Sequence, residues 1–130
     1  MPEASDVDAI FDALADALRR HSPPLTVRED ASLTKRNLQL WSEREVEIAG
    51  RKRGEVYFGG AIVQKGYVGF YFMPVYTHAE QKALLAPELL SLLKGKSCFH
   101  VKRLDAPLLA QVEDALEKGL DRYRERGWVE

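Results

Sequence analysis

The sequence predicts a single α+β domain, residues 1–130, in which an antiparallel β-sheet of about five strands is packed by an N-terminal and a C-terminal helix. Apolar residues recur at helical spacing near both ends of the chain, whereas they alternate with polar residues in its middle. Short turns join the predicted strands, and strands joined in this way run antiparallel. A length of 130 residues also suits one domain.

The first helix is predicted from Val7 to about Arg20, because apolar residues form one stripe along this stretch. Asp6 stands directly before it and is the expected N-cap. Pro23-Pro24 follows, and a proline pair cannot continue a helix. Residues 21–32 are therefore predicted to form a loop.

The middle of the chain contains stretches that are rich in β-branched and aromatic residues and separated by glycine-containing turns. Lys65-Gly66 marks a tight hairpin, and the segment between Gly50 and Gly54 is predicted as a charged turn. Pro74 is expected to end the hairpin's second strand, because proline cannot donate to a ladder. The predicted strands are Asn37–Ser42, Glu45–Ala49, Glu55–Val63, Tyr67–Phe72 and Ser97–Lys102.

Two short helical pieces and one long helix are predicted in the C-terminal half. Thr77-His-Ala-Glu80 is a capping-box pattern, and the second piece, Glu88–Leu93, is expected to end at Gly95 as its C-cap. Asp105 is the predicted N-cap of the last helix, about Ala106 to Arg126. Gly127 is expected to close that helix, with Trp128 packed back onto the body.

Composition limits the classes of partner and compartment. The net charge is −1, and nucleic acid is not expected as a partner because a nucleic-acid-binding domain is expected to be more basic. The middle of the chain is basic and both ends are acidic. No apolar run approaches the roughly 20 residues of a membrane span, so no membrane association is expected. One cysteine and an acidic N-terminus without a signal-peptide pattern predict a cytoplasmic protein.

The central hairpin predicts a ligand-binding face. Strict alternation places Tyr57 with Gly59, Ala61 and Val63 on one face, opposite Val56, Phe58, Gly60 and Ile62, and it groups Tyr67 with Gly69 and Tyr71. Tyrosines beside glycines would leave a concavity lined by rings and hydroxyls, as a small-molecule pocket requires. The alternative is structural: the glycines let a helix approach closely or mark bulges.

The last predicted strand places Lys96, Cys98, His100 and Lys102 on one face. Three chemistries fit: anion binding, a thiolate–imidazolium pair with Cys98 as nucleophile, or two ligands to a soft metal. A buried structural cysteine is the alternative. The complete predicted ligand-binding set is Tyr57, Tyr67, Tyr71, Lys65, Lys96, Cys98 and His100; no residue is assigned a catalytic role.

The first predicted helix carries an acidic stripe. Asp8, Asp12 and Asp16 lie four residues apart, on a face roughly opposite the apolar stripe. Carboxylate oxygens in this arrangement can bind a hard cation weakly. A solvated helix face gives the same sequence pattern.

Three motifs resemble the YdhG-like family of small bacterial domains of unknown function. They are Tyr57-Phe-Gly-Gly, Gln64-Lys-Gly-Tyr-Val-Gly-Phe-Tyr-Phe-Met-Pro74 and Leu93-Lys-Gly-Lys-Ser-Cys-Phe-His100. The resemblance covers about 38–128, leaving 1–36 as an additional helix and loop, and it implies an α+β domain with an antiparallel sheet. One branch of the family is described as a frataxin-like intracellular iron chaperone, which by analogy implies iron at the acidic stripe.

These observations predict a non-enzymatic module that binds a small molecule or a metal ion, without indicating a particular cofactor. Two alternatives remain open at this stage. One is an enzyme that uses Cys98 and His100, and the other is a protein-interaction subunit that forms a homodimer through the sheet.

Overall fold

A computed structural model describes residues 6–32, 34–48, 50–77 and 81–129. Its elements follow one another as α1 (Val7–Arg19), β1 (Thr26–Arg28), β2 (Asn37–Ser42), β3 (Val46–Ile48), β4 (Arg51–Arg53), β5 (Val56–Val63), β6 (Val68–Phe72), α2 (Pro74–Thr77), α3 (Gln81–Leu84), α4 (Pro87–Leu90), β7 (Leu93–Lys94), β8 (Cys98–Val101) and α5 (Ala106–Glu125).

The predicted fold class is confirmed. The main sheet has six strands in the order β1-β2-β5-β6-β8-β7, and every neighbouring pair is antiparallel. β3 and β4 form a separate two-stranded hairpin. The prediction of about five strands in the sheet was therefore close, although the predicted strand at Glu45–Ala49 corresponds to β3, Val46–Ile48, which belongs to the small hairpin instead.

The two long helices α1 and α5 bury their apolar stripes against one face of the sheet, here called the inner face. Phe58, Phe70 and Phe72 of the strands are fully buried there, together with Leu14 of α1 and Tyr123 of α5. The ring of Phe58 meets Tyr123 edge-on at 5.1 Å between centroids. This aromatic contact helps to hold α5 on the sheet, because rings of this size supply much of the buried apolar area of a small core.

A β-bulge in β5 overturns the predicted alternation of faces. Leu40 pairs with Gly59 and Trp41 pairs with Tyr57, so Phe58 is an extra residue in its strand. Gly59 and Ala61 then pair with Phe72 and Phe70 and lie on the inner face with them. Gly60 and Ile62, which strict alternation places opposite Tyr57, instead share the outer face with it. One inserted residue inverts every side chain that follows it.

Several local predictions were wrong for identifiable reasons. Thr26–Arg28, placed in a loop, pairs with β2 as an edge strand, and the predicted charged turn contains strand β4. Gly95 has a positive φ of 80° but serves the turn between β7 and β8 rather than a helix C-cap. Pro74 does end the ladder, and it also opens α2, where a proline needs no N–H donor.

The helix caps were predicted with mixed success. Asp105 caps α5, since its carboxylate accepts a hydrogen bond from the Leu108 N–H at 2.9 Å. Gly127 closes that helix with a φ of 74°, and Trp128 is buried as expected. Asp6 occupies the N-cap position of α1 without a side-chain capping bond. The capping-box pattern reaches into 78–80, outside the described residues.

Candidate functional site

The predicted tyrosine face is the outer face of the sheet, which α1 and α5 leave uncovered. Tyr71 pairs with Cys98, and Gly69 pairs with His100, so β6 and β8 bring these four residues side by side. The ring of Tyr67 stacks on the His100 imidazole with 4.2 Å between centroids and 19° between planes. The structure thus brings together the tyrosines, the thiol and the imidazole that the sequence singled out.

The predicted concavity between these tyrosines is filled by the rings themselves. A Cβ atom added to Gly69 would lie 3.1 Å from the Tyr71 ring, and one added to Gly60 would lie 3.0 Å from the Tyr57 hydroxyl. The glycines therefore let the tyrosines lie close to the strands. The centre of the outer face is therefore a surface of closely packed tyrosine rings, and these glycines accommodate rings rather than an approaching helix.

Cys98 has the environment of a protonated thiol. Burial raises its pKa, and a hydrogen bond with Tyr71 opposes this shift only in part. Tyr71 also contacts Gln64, and burial raises the pKa of its phenol. Cys98 forms a hydrogen bond with Tyr71, whereas the His100 ring stacks on Tyr67. The two residues of the predicted thiolate–imidazolium pair therefore have different partners. A nucleophilic cysteine requires the opposite, a lowered pKa and an adjacent base.

The acidic stripe on α1 is occupied by arginine. Arg36 donates to Asp8 at 3.1 Å and to Asp12 at 2.6 Å, while Arg19 contacts Asp16 at 3.4 Å. The Arg36 guanidinium also lies 4.6 Å from the centroid of the Phe11 ring. Within the described ranges there is no group of three or more His, Cys, Asp or Glu residues suited to a metal ion.

The two remaining lysines of the predicted set lie at turns. Lys65 is exposed in the turn between β5 and β6. Lys96 lies in the turn between β7 and β8, with its ammonium 5.4 Å from the centroid of the Tyr76 ring. Neither lies among the tyrosines at the centre of the outer face, but Lys96 adjoins the cavity described next.

A cavity of about 310 Å³, the aromatic pocket, opens at the end of the sheet where β2 and β5 meet α2 and the C-terminal end of α5. Arg53 and Glu55 supply charged groups to its lining. Tyr76 is 52% exposed although it is a large aromatic residue. The pocket is lined by Trp41, Ile48, Arg53, Glu55, Val56, Tyr57, Met73, Tyr76, Tyr123 and Trp128.

Local structure explains how the pocket walls are held. The bulge at Phe58 turns Tyr57 to the outer face, where its ring lies 5.1 Å from that of Trp41. The Tyr123 hydroxyl donates to the Tyr57 carbonyl at 2.7 Å, and the Tyr123 ring meets Trp128 edge-on at 5.0 Å. Burial raises the pKa of Tyr57 strongly, so this phenol stays neutral under ordinary conditions.

The Ser42 hydroxyl donates to the Trp128 carbonyl, which fixes the C-terminal wall of the pocket to β2. Sequence reasoning identified Tyr57 but did not connect it with Trp41, Tyr76 or Tyr123. Those residues come from distant segments, and the bulge that joins them has no pattern of its own in the sequence. The nearest indication in the sequence is Tyr76, an aromatic residue two positions after Pro74.

Comparisons with protein-family models, with curated proteins and with solved structures found no match. Membership of the YdhG-like family therefore stays a prediction. Along the described part of the chain, no helix combines the length and apolarity needed to cross a bilayer.

Proposed function

We propose that this protein is a non-enzymatic binding module that takes a small, flat and largely apolar molecule in the aromatic pocket. The observation that carries the proposal is the pocket itself, in which rings from β2, β5, α2, α5 and the segment after α5 surround one cavity. Ligand sites are mostly apolar and aromatic, with few polar groups. The volume of about 310 Å³ lies at the lower end of ligand pockets, which span roughly 300–1,000 Å³.

Tyr76 supports a ligand more directly than the buried rings do. A tyrosine that is 52% exposed beside an apolar cavity gains more by covering a ligand than by remaining in water. Lys96 lies over its ring and Arg53 contributes to the lining, so two cations adjoin the pocket. Glu55 is held by Arg28 at 2.7 Å, which leaves Arg53 to meet a polar substituent of the ligand.

The environment of Cys98 favours binding over covalent chemistry, because its raised pKa keeps it a thiol. The acidic stripe supports a metal ion less well, since Asp8 and Asp12 already accept hydrogen bonds from Arg36. A cation at this stripe would have to displace the guanidinium. Iron binding therefore stays an expectation from the family resemblance alone.

Tryptophan fluorescence can report ligand binding in the aromatic pocket. Its two tryptophans, Trp41 and Trp128, both line the aromatic pocket. Titration with benzyl alcohol, a small neutral aromatic probe, is expected to change tryptophan fluorescence in a saturable manner. Tyr76→Ala is expected to weaken binding roughly fivefold, the scale of one lost aromatic contact.

Tyr67→Ala is the matched control, because Tyr67 is a tyrosine that stacks on His100 and does not line the pocket. Binding in this variant should stay within about twofold of the parent, as expected for a substitution at a separate site. A non-saturable response, or equal weakening in both variants, would show that the pocket is not the site. Near-UV circular dichroism verifies that each variant keeps its packed core.

A further inference from the structure

From a second cavity we infer an anion-binding site at the β7–β8 edge of the sheet, for a small organic molecule with a phosphate or carboxylate head. This cavity, here called the basic cavity, has a volume of about 450 Å³ and lies between α4, the start of α5 and the edge of the sheet. Lys94, His100, Lys102 and Arg103 all line it. It shares no lining residue with the aromatic pocket.

The lysines and the arginine of the basic cavity are not neutralised by ion pairs among the described residues. Among the described residues, Lys94, Lys102 and Arg103 make no ion pair, although many arginines elsewhere in the chain do. All three are exposed to solvent around one concave surface, so an anionic oxygen in the cavity can meet several cations at once.

Two carboxylates, Glu88 and Asp105, also line the cavity and limit the charge of the ligand. Three cations and two carboxylates give a formal charge of +1 with His100 neutral. The Asp105 carboxylate is engaged in capping α5. A local charge this small suits a single phosphate or carboxylate and is too weak for a nucleic acid, which requires an extended basic surface.

The cavity also has an apolar wall. Leu108, which is buried, and Leu92, which is half-buried, both contribute to its lining. Strand β8 joins this wall to the cations, since the His100 N–H donates to the Leu92 carbonyl at 3.0 Å. The stacked ring of Tyr67 fixes the orientation of the His100 side chain. The ligand therefore has an anionic head toward the cations and a short apolar body against the leucines.

Titration of the ¹⁵N-labelled protein with butyl phosphate and, separately, with butyrate tests this inference. Saturable shifts of the Leu92 and His100 amide resonances are expected with at least one of the two anions. The tighter of the two identifies the headgroup as phosphate or carboxylate. The double variant Lys102→Gln/Arg103→Gln should weaken binding roughly tenfold, as expected for the loss of two exposed charge contacts.

Lys52→Gln/Lys65→Gln is the matched control, because it removes the same charge from exposed lysines outside the cavity. Its affinity should stay within about twofold of the parent at moderate salt, where distant charges are screened. The inference is overturned if neither anion shifts Leu92 and His100, or if the control weakens binding as much as the cavity variant. Benzyl alcohol binding is unaffected in either case, so failure here is distinct from failure of the aromatic pocket.

Discussion

Replacing Tyr123 by phenylalanine removes the hydroxyl whose hydrogen bond joins α5 to the β5 bulge. The ring of Tyr123 is fully buried, and its hydroxyl donates to the carbonyl of Tyr57 at 2.7 Å. Phenylalanine keeps the ring and its edge-on contacts with Phe58 and Trp128, so no large cavity is created. The change therefore removes one donor from a carbonyl next to the bulged residue.

The contact is partly buried. A hydrogen bond of this kind contributes about 1 kcal/mol net, and desolvation of the carbonyl left without this donor adds to the loss, so a cost of about 1–2 kcal/mol is expected. Equilibrium urea denaturation measures this loss as a lower midpoint with an unchanged slope, because the surface exposed on unfolding stays the same.

Tyr76→Phe is the matched control, since it removes a hydroxyl from a tyrosine that is 52% exposed. Its free energy of unfolding should change by no more than about 0.5 kcal/mol, as is usual for surface substitutions. If Tyr123→Phe is no less stable than Tyr76→Phe, the hydroxyl does not stabilise the bulge and the reasoning is refuted.

Three further outcomes are expected. Gly119→Ala places a Cβ atom 2.6 Å from the buried Phe72 ring. Overpacking of this kind costs about 1–3 kcal/mol, whereas alanine gains only roughly 1 kcal/mol over glycine in a helix. Urea denaturation should therefore show a net loss of stability. Burial raises the pKa of the Tyr57 phenol, so the unfolded chain ionises this group more readily than the folded protein does. The stability that Tyr57 contributes below about pH 10 is therefore lost as the pH rises further, and Tyr57→Phe should make this alkaline loss of stability less steep. The raised pKa of Cys98 should make iodoacetamide react more slowly with the native chain than with the urea-unfolded chain at about pH 8.

A different result would contradict each of these three predictions. Gly54→Ala, where an added Cβ meets no atom within 4 Å, should leave stability nearly unchanged, so a Gly119→Ala variant as stable as this control would mean that Phe72 moves aside. An alkaline decline that is equally steep in Tyr57→Phe would assign it to other groups. Equal alkylation rates for native and unfolded chain would show that burial does not protect Cys98.

The regular parts of this fold were predictable because their patterns are local. The apolar stripes of α1 and α5 and the hairpin around Lys65-Gly66 follow from helical spacing, alternation and turn chemistry, and the structure places them as expected. Thr26–Arg28 and Leu93–Lys94 were missed as strands because they are short edge strands. Their pairing depends on neighbours distant in sequence, which composition does not indicate.

The candidate site was predictable only in part. Alternation correctly placed Tyr71, Cys98 and His100 on one face, because β6 and β8 are regular. It failed in β5, where the bulge at Phe58 inverts the faces beyond it. Both cavities lie at the periphery of the sheet, and their walls combine strands with helix ends, so their residues share no spacing in the sequence.

The hydrogen bond from Ser42 to the Trp128 carbonyl has a consequence for how the protein matures. It joins positions 86 residues apart, so it cannot form until Trp128 has left the ribosome. The hairpin of β5 and β6 can form much earlier, because its contacts are local. A nascent or truncated chain that has folded its sheet still lacks one wall of the aromatic pocket. The proposed pocket is therefore complete only once Trp128 has been synthesised and has packed against β2.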